Sequence, residues 1–127
     1  MRIVIADDST TARMFIRQCL EIAGWPEAEY AEAANGREAL QLLKQGTTDL
    51  LLTDLNMPTM DGRELVRRVT ASPKLIGMPV VVITSSGNEA RKQELIRLGA
   101  NAVLRKPINP MKIAECLEGI LGVEEET

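Results

Sequence analysis

The chain has 127 residues, 45% of them hydrophobic, which suits one domain with a substantial core and not a disordered segment. Its 15 basic and 18 acidic residues leave a net charge of −3, so there is no general electrostatic case for binding nucleic acid. With 2% aromatic residues and no histidine, little is available for stacking on bases or a flavin, and histidine bases, triads and metal sites are excluded.

A first strand, Ile3-Val4-Ile5-Ala6, runs directly into Asp7-Asp8. Ser9 or Thr10 then caps a helix whose apolar face is Ala12, Ile16, Cys19, Leu20 and Ala23, closed by Gly24. A weaker strand spans Glu29–Ala33, and Asn35 caps a helix through Leu40 and Leu43 to Gly46. The third strand, Leu50-Leu51-Leu52-Thr53, ends at Asp54. A loop with Pro58 and Gly62 leads to a helix through Leu65, Val66 and Val69. Pro73 and Gly77 mark the next connection, and Pro79 permits a strand to start. Val80-Val81-Val82-Ile83 runs into Thr84, and a charged helix, Glu89 to Leu98, is closed by Gly99. The fifth strand, Ala102-Val103-Leu104-Arg105, runs into Lys106. Asn109-Pro110 then pairs a cap with proline at the first helical position. Ile113, Cys116, Leu117, Ile120 and Leu121 form the last apolar stripe, which Gly122 stops before an acidic tail over 123–127.

Short, uninterrupted Val/Ile/Leu runs read as strands buried on both faces of a parallel sheet. Their alternation with helices predicts an open, doubly wound α/β sheet, (βα)5 and flavodoxin-like, with strand order 2-1-3-4-5. That order places the first and third strands side by side at the switch point, so Asp7, Asp8 and Asp54 become neighbours on one rim with Thr84 and Lys106. Two carboxylates about 4 Å apart repel by roughly 4 kcal/mol at an effective dielectric near 20, so three together need compensation. Lys106 supplies one positive charge, and the remaining −2 of the four groups suits a divalent cation. Oxygen-only ligands select Mg²⁺ or Mn²⁺ over zinc or copper.

The motifs Asp7-Asp8, Thr53-Asp54-Leu55-Asn56-Met57-Pro58, Met60-Asp61-Gly62, Thr84-Ser85 and Lys106-Pro107 together resemble the receiver domain of two-component response regulators. The resemblance spans residues 2–121 in order and spacing, with a domain expected over 1–122, and is nearest to single-domain, chemotaxis-type members. It implies that Asp54 is the phosphoacceptor, taking a phosphoryl group from the phosphohistidine of a sensor histidine kinase or phosphotransfer protein, or from a small acyl phosphate. It implies that Asp8 binds Mg²⁺ directly and that Asp7 binds or orients it through water, with Asp54 and the backbone carbonyl of Asn56 completing the set. Thr84 and Lys106 would hold phosphoryl oxygens, and the Lys106-Pro107 peptide would be cis. Ser85 and Pro107 accompany the switch, while Asn56 and Ser86 would tune the lifetime of the acyl phosphate.

Two positions depart from the family pattern. Val103 occupies the place of the aromatic that couples to the threonine, and Ile108 that of a phenylalanine common after Lys-Pro. An aromatic rotamer read-out is therefore excluded, and output would pass through a smaller rearrangement at the surface of the fourth helix, fifth strand and fifth helix to a downstream target protein. A haloacid-dehalogenase-type phosphatase requires an acid two residues after the nucleophile, where Asn56 stands. A flavodoxin-like cofactor carrier requires a glycine-rich loop after the first strand, which is lacking. The nearest rivals are a divergent or excised receiver in a pathway other than motility and a phosphorylation-independent interaction module.

The remaining expectations are modest. No leader precedes the first strand, no apolar run approaches the roughly 20 residues of a membrane span, and Cys19 and Cys116 read as small buried hydrophobes. A cytoplasmic monomer follows, with no direct contact to nucleic acid or membrane. Arg13 and Arg17 read as a solvated helical stripe, or else as a kinase-docking edge. Arg91, Lys92 and Arg97 read as surface charges, and Trp25-Pro26 as a loop anchor.

Overall fold

The structure, a computed structural model, describes residues 1–85 and 88–121. Ser86, Gly122 and the acidic tail, all singled out from sequence, lie outside the described residues. Elements follow in the expected alternation: β1 (Arg2–Ala6), α1 (Thr10–Ala23), β2 (Glu29–Ala33), α2 (Gly36–Lys44), β3 (Leu50–Asp54), α3 (Gly62–Thr70), β4 (Val80–Thr84), α4 (Glu89–Leu98), β5 (Ala102–Arg105) and α5 (Pro110–Leu121). A 3-10 turn, Pro73–Leu75, which sequence patterning does not anticipate, lies between α3 and β4.

The five strands form one parallel sheet in the order β2-β1-β3-β4-β5. Alternation along each strand divides the core in two. Ile3, Ile5, Leu50, Leu52, Val81 and Ile83 meet Ile16, Cys19 and Leu20 of α1 and Ile113 and Leu117 of α5 on one face. Val4, Ala6, Leu51, Val80 and Val82 meet α2, α3 and α4 on the other, through Ala39, Leu43, Leu65, Val66, Val69 and Leu95. The inner strands β3 and β4 are buried throughout, as double-sided packing requires. β5 departs from that expectation. It is half-buried with Arg105 exposed, because an edge strand has only one neighbour.

Helix starts are well capped. The side chains of Ser9, Asn35, Asp61, Asn88 and Asn109 accept from the backbone N–H three residues on, at 2.8–3.1 Å. Asp61 and Asn88 were not foreseen as caps, and Gly62, expected in the loop, is the first residue of α3. α2 ends at Lys44, two residues short of the expected Gly46. Cys19 is buried and Cys116 half-buried, both as free thiols whose pKa desolvation pushes up. Trp25 packs on the α1/α5 face of the core, and its carbonyl accepts from the Tyr30 hydroxyl at 2.7 Å.

Candidate functional site

The strand register alone brings the polar residues together. Ala6 pairs with Thr53, so the residues that follow, Asp7 and Asp54, lie at the same level across the β1–β3 seam. Asp54 pairs with Ile83, which sets Thr84 one residue beyond it, and Thr84 pairs with Arg105, which precedes Lys106. The Lys106 N–H donates to the Thr84 carbonyl at 2.9 Å, extending that ladder, and the Lys106-Pro107 peptide is cis as expected.

Side chains converge accordingly. Carboxylate oxygens of Asp7, Asp8 and Asp54 all lie within 4.8 Å of one another, forming a group able to hold a metal ion. Lys106 Nζ sits 3.4 Å from Asp7 Oδ2 and 3.6 Å from Asp54 Oδ1. Asp7 is 1% exposed and Asp54 8%, while Asp8 faces solvent. Thr84 is also buried, at 3%. Asp7 Oδ1 accepts from the Ser9 N–H and Asp54 Oδ1 from the Leu55 N–H, both at 2.9 Å, which aims the two carboxylates.

Burial pushes the Asp54 carboxyl above the usual range and Asp7 adds to the shift; Lys106 and the Leu55 N–H oppose it, while Asp8 raises it further. One ammonium for three carboxylates leaves negative charge uncompensated. The donor set is all oxygen, two members are held by backbone N–H groups, and the third opens to water. That combination fits a hard divalent cation that retains part of its hydration.

The other expected residues sit around this rim. Asn56 and Ser85 are exposed beside the ends of β3 and β4, and Pro107 is exposed after Lys106. Met57 is buried and Met60 packs on the same core, so both support the β3–α3 loop from beneath. A recess of about 220 Å³, lined by Thr84, Arg91, Lys92, Val103 and Arg105, lies between α4 and β5. Ile108 is buried against the α1/α5 core. Gly62, read from sequence as a loop residue and part of the Met60-Asp61-Gly62 motif, has a steric role that the sequence reading did not assign. A Cβ there would lie 2.2 Å from the Asp54 carbonyl oxygen and 2.9 Å from Leu55 Cα, so only glycine lets α3 start against the end of β3. Arg13 belongs at the site too. It is not solvated: its side chain is 14% exposed, and it donates to the Asp7 carbonyl and to Glu32.

Known proteins resemble this chain in sequence and in fold. The model of the response regulator receiver domain matches residues 3–118. A chemotaxis protein CheY homolog of Campylobacter jejuni is 37% identical over 123 residues, 96% of this chain and 93% of that protein. The chemotaxis response regulator CheY4 of Vibrio cholerae superimposes with a TM-score of 0.83 at 32% identity, covering 94% of this chain and 97% of that one. The Mn²⁺-bound form of response regulator Rcp1 superimposes with a TM-score of 0.80 at 27% identity, covering 99% of both chains. With the match running from β1 into α5 and the acid cluster placed at the carboxyl ends of its strands, this chain belongs to the response regulator receiver-domain family.

Proposed function

We propose that the chain is a phospho-accepting, CheY-like response regulator in which Asp54 receives a phosphoryl group in a Mg²⁺-dependent reaction. The observation that carries this reading is the Asp54 carboxylate at the centre of the rim, buried, flanked by Asp7 and Asp8, and met by the Lys106 ammonium. Asp8, Asp7, Asp54 and the Asn56 carbonyl would hold Mg²⁺, with Mn²⁺ as a substitute. When bound, that ion supplies positive charge for the acids and for the oxygens of the incoming phosphoryl group.

Asp54 is the nucleophile. One of its oxygens forms the bond to phosphorus as the P–N bond of a donor phosphohistidine breaks and the leaving imidazole retains the electron pair. No base of the chain is needed, since a carboxylate carries its charge without one. Lys106, already within ion-pair distance of Asp54, screens the approach of two anions and then pairs with a phosphoryl oxygen. The Thr84 hydroxyl, one register step beyond Asp54, donates to another. Asn56 and Ser85, exposed beside the ends of β3 and β4, border the approach of the water that later hydrolyses the acyl phosphate and so tune its lifetime, a role assigned to Ser86 from the sequence alone.

Phosphorylation adds charge and acceptors at the rim and draws Thr84 and Lys106 inward. The recess beside Thr84 and Val103 gives room for that rearrangement, which alters the surface of α4, β5 and α5 presented to a downstream protein. The donor is a sensor histidine kinase or phosphotransfer protein. On this reading the domain covers 1–122, with 123–127 a short acidic tail, and the protein acts in the cytoplasm as a monomer. No helix among the described residues is long and apolar enough to cross a membrane.

Intact-protein mass after incubation with acetyl phosphate tests the reading. One phosphoryl adduct that requires Mg²⁺ and is lost in Asp54→Ala is expected. A folded, Mg²⁺-binding wild type that takes no phosphoryl group from either acetyl phosphate or a phosphohistidine donor would favour a phosphorylation-independent binding module.

A further inference from the structure

Arg13 stands outside the acid cluster yet holds its backbone. Its guanidinium donates at three points: through Nε to Glu32 Oε1 at 2.8 Å, through Nη2 to Thr10 Oγ1 at 3.2 Å, and through Nη1 to the Asp7 carbonyl oxygen. Glu32 lies on β2, Thr10 begins α1, and Asp7 follows the end of β1. One side chain therefore ties three elements together at the turn that carries two of the three carboxylates. Asp7 is held elsewhere by its N–H to the Ala33 carbonyl at 3.0 Å and by Oδ1 to the Ser9 N–H. Asp8 is exposed, so its carboxylate takes its place from the backbone of this turn. Arg17, one turn along α1, differs: it pairs with Glu21 and lies over the Tyr30 ring, away from the acids.

We propose that Arg13 is a positioning residue: by clamping the Asp7 carbonyl to Glu32 and Thr10 it fixes the β1–α1 turn and sets the affinity of the Asp7/Asp8/Asp54 group for a divalent cation. This rests on the reading of that group as a Mg²⁺ site. Two physical points separate it from a bare charge effect. A cation beside a cation site repels the ligand, so deleting Arg13 as a charge would tighten binding, whereas loosening the turn weakens it. Lysine keeps the charge but lacks the planar fork that reaches three acceptors at once.

The test is Mn²⁺ binding by the full chain, followed through the electron paramagnetic resonance signal of free Mn²⁺. It compares wild type, Arg13→Ala, Arg13→Lys, Glu32→Gln and Arg17→Ala, with urea melts in chelator to establish that each is folded. Arg13→Ala and Arg13→Lys are both expected to weaken binding by about tenfold, the lower end of what outer partners of metal ligands contribute. Glu32→Gln, which spares the bond to Asp7 but frees the fork, weakens it less, and Arg17→Ala leaves it unchanged. If Arg13→Ala does not fold, Arg13→Lys and Glu32→Gln carry the comparison. Binding by folded Arg13→Ala equal to or tighter than wild type, or full affinity in Arg13→Lys, would overturn the positioning role while leaving the metal site standing. A wild type that binds no Mn²⁺ would remove both.

Discussion

Asp54 closes β3 with a carboxyl group whose ionisation its surroundings oppose, through burial first and the Asp7 charge second. A carboxyl whose pKa is higher in the folded state costs stability once ionised. Its favourable contribution is complete below the unfolded value and is lost as pH rises through the folded one. In chelator, Asp54→Asn is therefore expected to stabilise the fold by on the order of 1 kcal/mol at neutral pH. In urea melts that advantage should shrink as pH falls, and vanish below the ordinary aspartate value of 3.8. An asparagine variant clearly weaker than wild type at neutral pH would contradict the picture of crowded carboxylates. That Asp7, Asp8, Asp54, Thr84 and Lys106 would meet on one rim was legible in the sequence, because each follows or ends an apolar run and the runs align in the sheet. Arg13 was not. Helical spacing shows which side chains share a stripe, but the partners that bury Arg13 come from β2 and the β1 turn, which no local pattern reveals.

At the level of elements, the site depends on how closely α3 begins against β3. The Gly62 N–H donates to the Leu55 carbonyl at 2.9 Å, and the space for any side chain is taken by Asp54 and Leu55 backbone atoms. Gly62→Ala is expected to cost about 3 kcal/mol in urea melts, at the upper end of overpacking penalties, because backbone and not a flexible side chain must yield. It should also lower the rate of phosphoryl uptake by displacing Asp54, which single-turnover adduct formation measures. Strands and helices were readable where burial is strong: β3 and β4 are continuous apolar runs and are buried end to end. The edge strands were read with their observed bounds, but their burial was not. β2 reads Glu-Tyr-Ala-Glu-Ala and β5 is half-buried, since each has a single neighbour and its composition is set partly by solvent. The Pro73–Leu75 turn and the Asp61 cap escaped notice because short turns carry no hydrophobic period.

For the whole molecule, five strands lie between α1 and α5 on one side and α2, α3 and α4 on the other, and their ends gather the three acids, Thr84 and Lys106 on one rim. Because the acid cluster exists only when the sheet is assembled, a cation bound there favours the folded state by mass action. Mg²⁺ at 100 times its dissociation constant should add about 2.7 kcal/mol to the unfolding free energy. Thermal melts should rise with MgCl₂ but not with NaCl of equal ionic strength, and Asp54→Asn should reduce the effect. The central claim is narrower still: of all the carboxylates in the chain, Asp54 takes the phosphoryl group. Borohydride reduction after incubation with acetyl phosphate and Mg²⁺ converts an aspartyl phosphate to homoserine, and peptide mass mapping then locates it. Homoserine at position 54 alone, absent when chelator replaces Mg²⁺, is the predicted result; homoserine at Asp7 or Asp8 with residue 54 unchanged would contradict it.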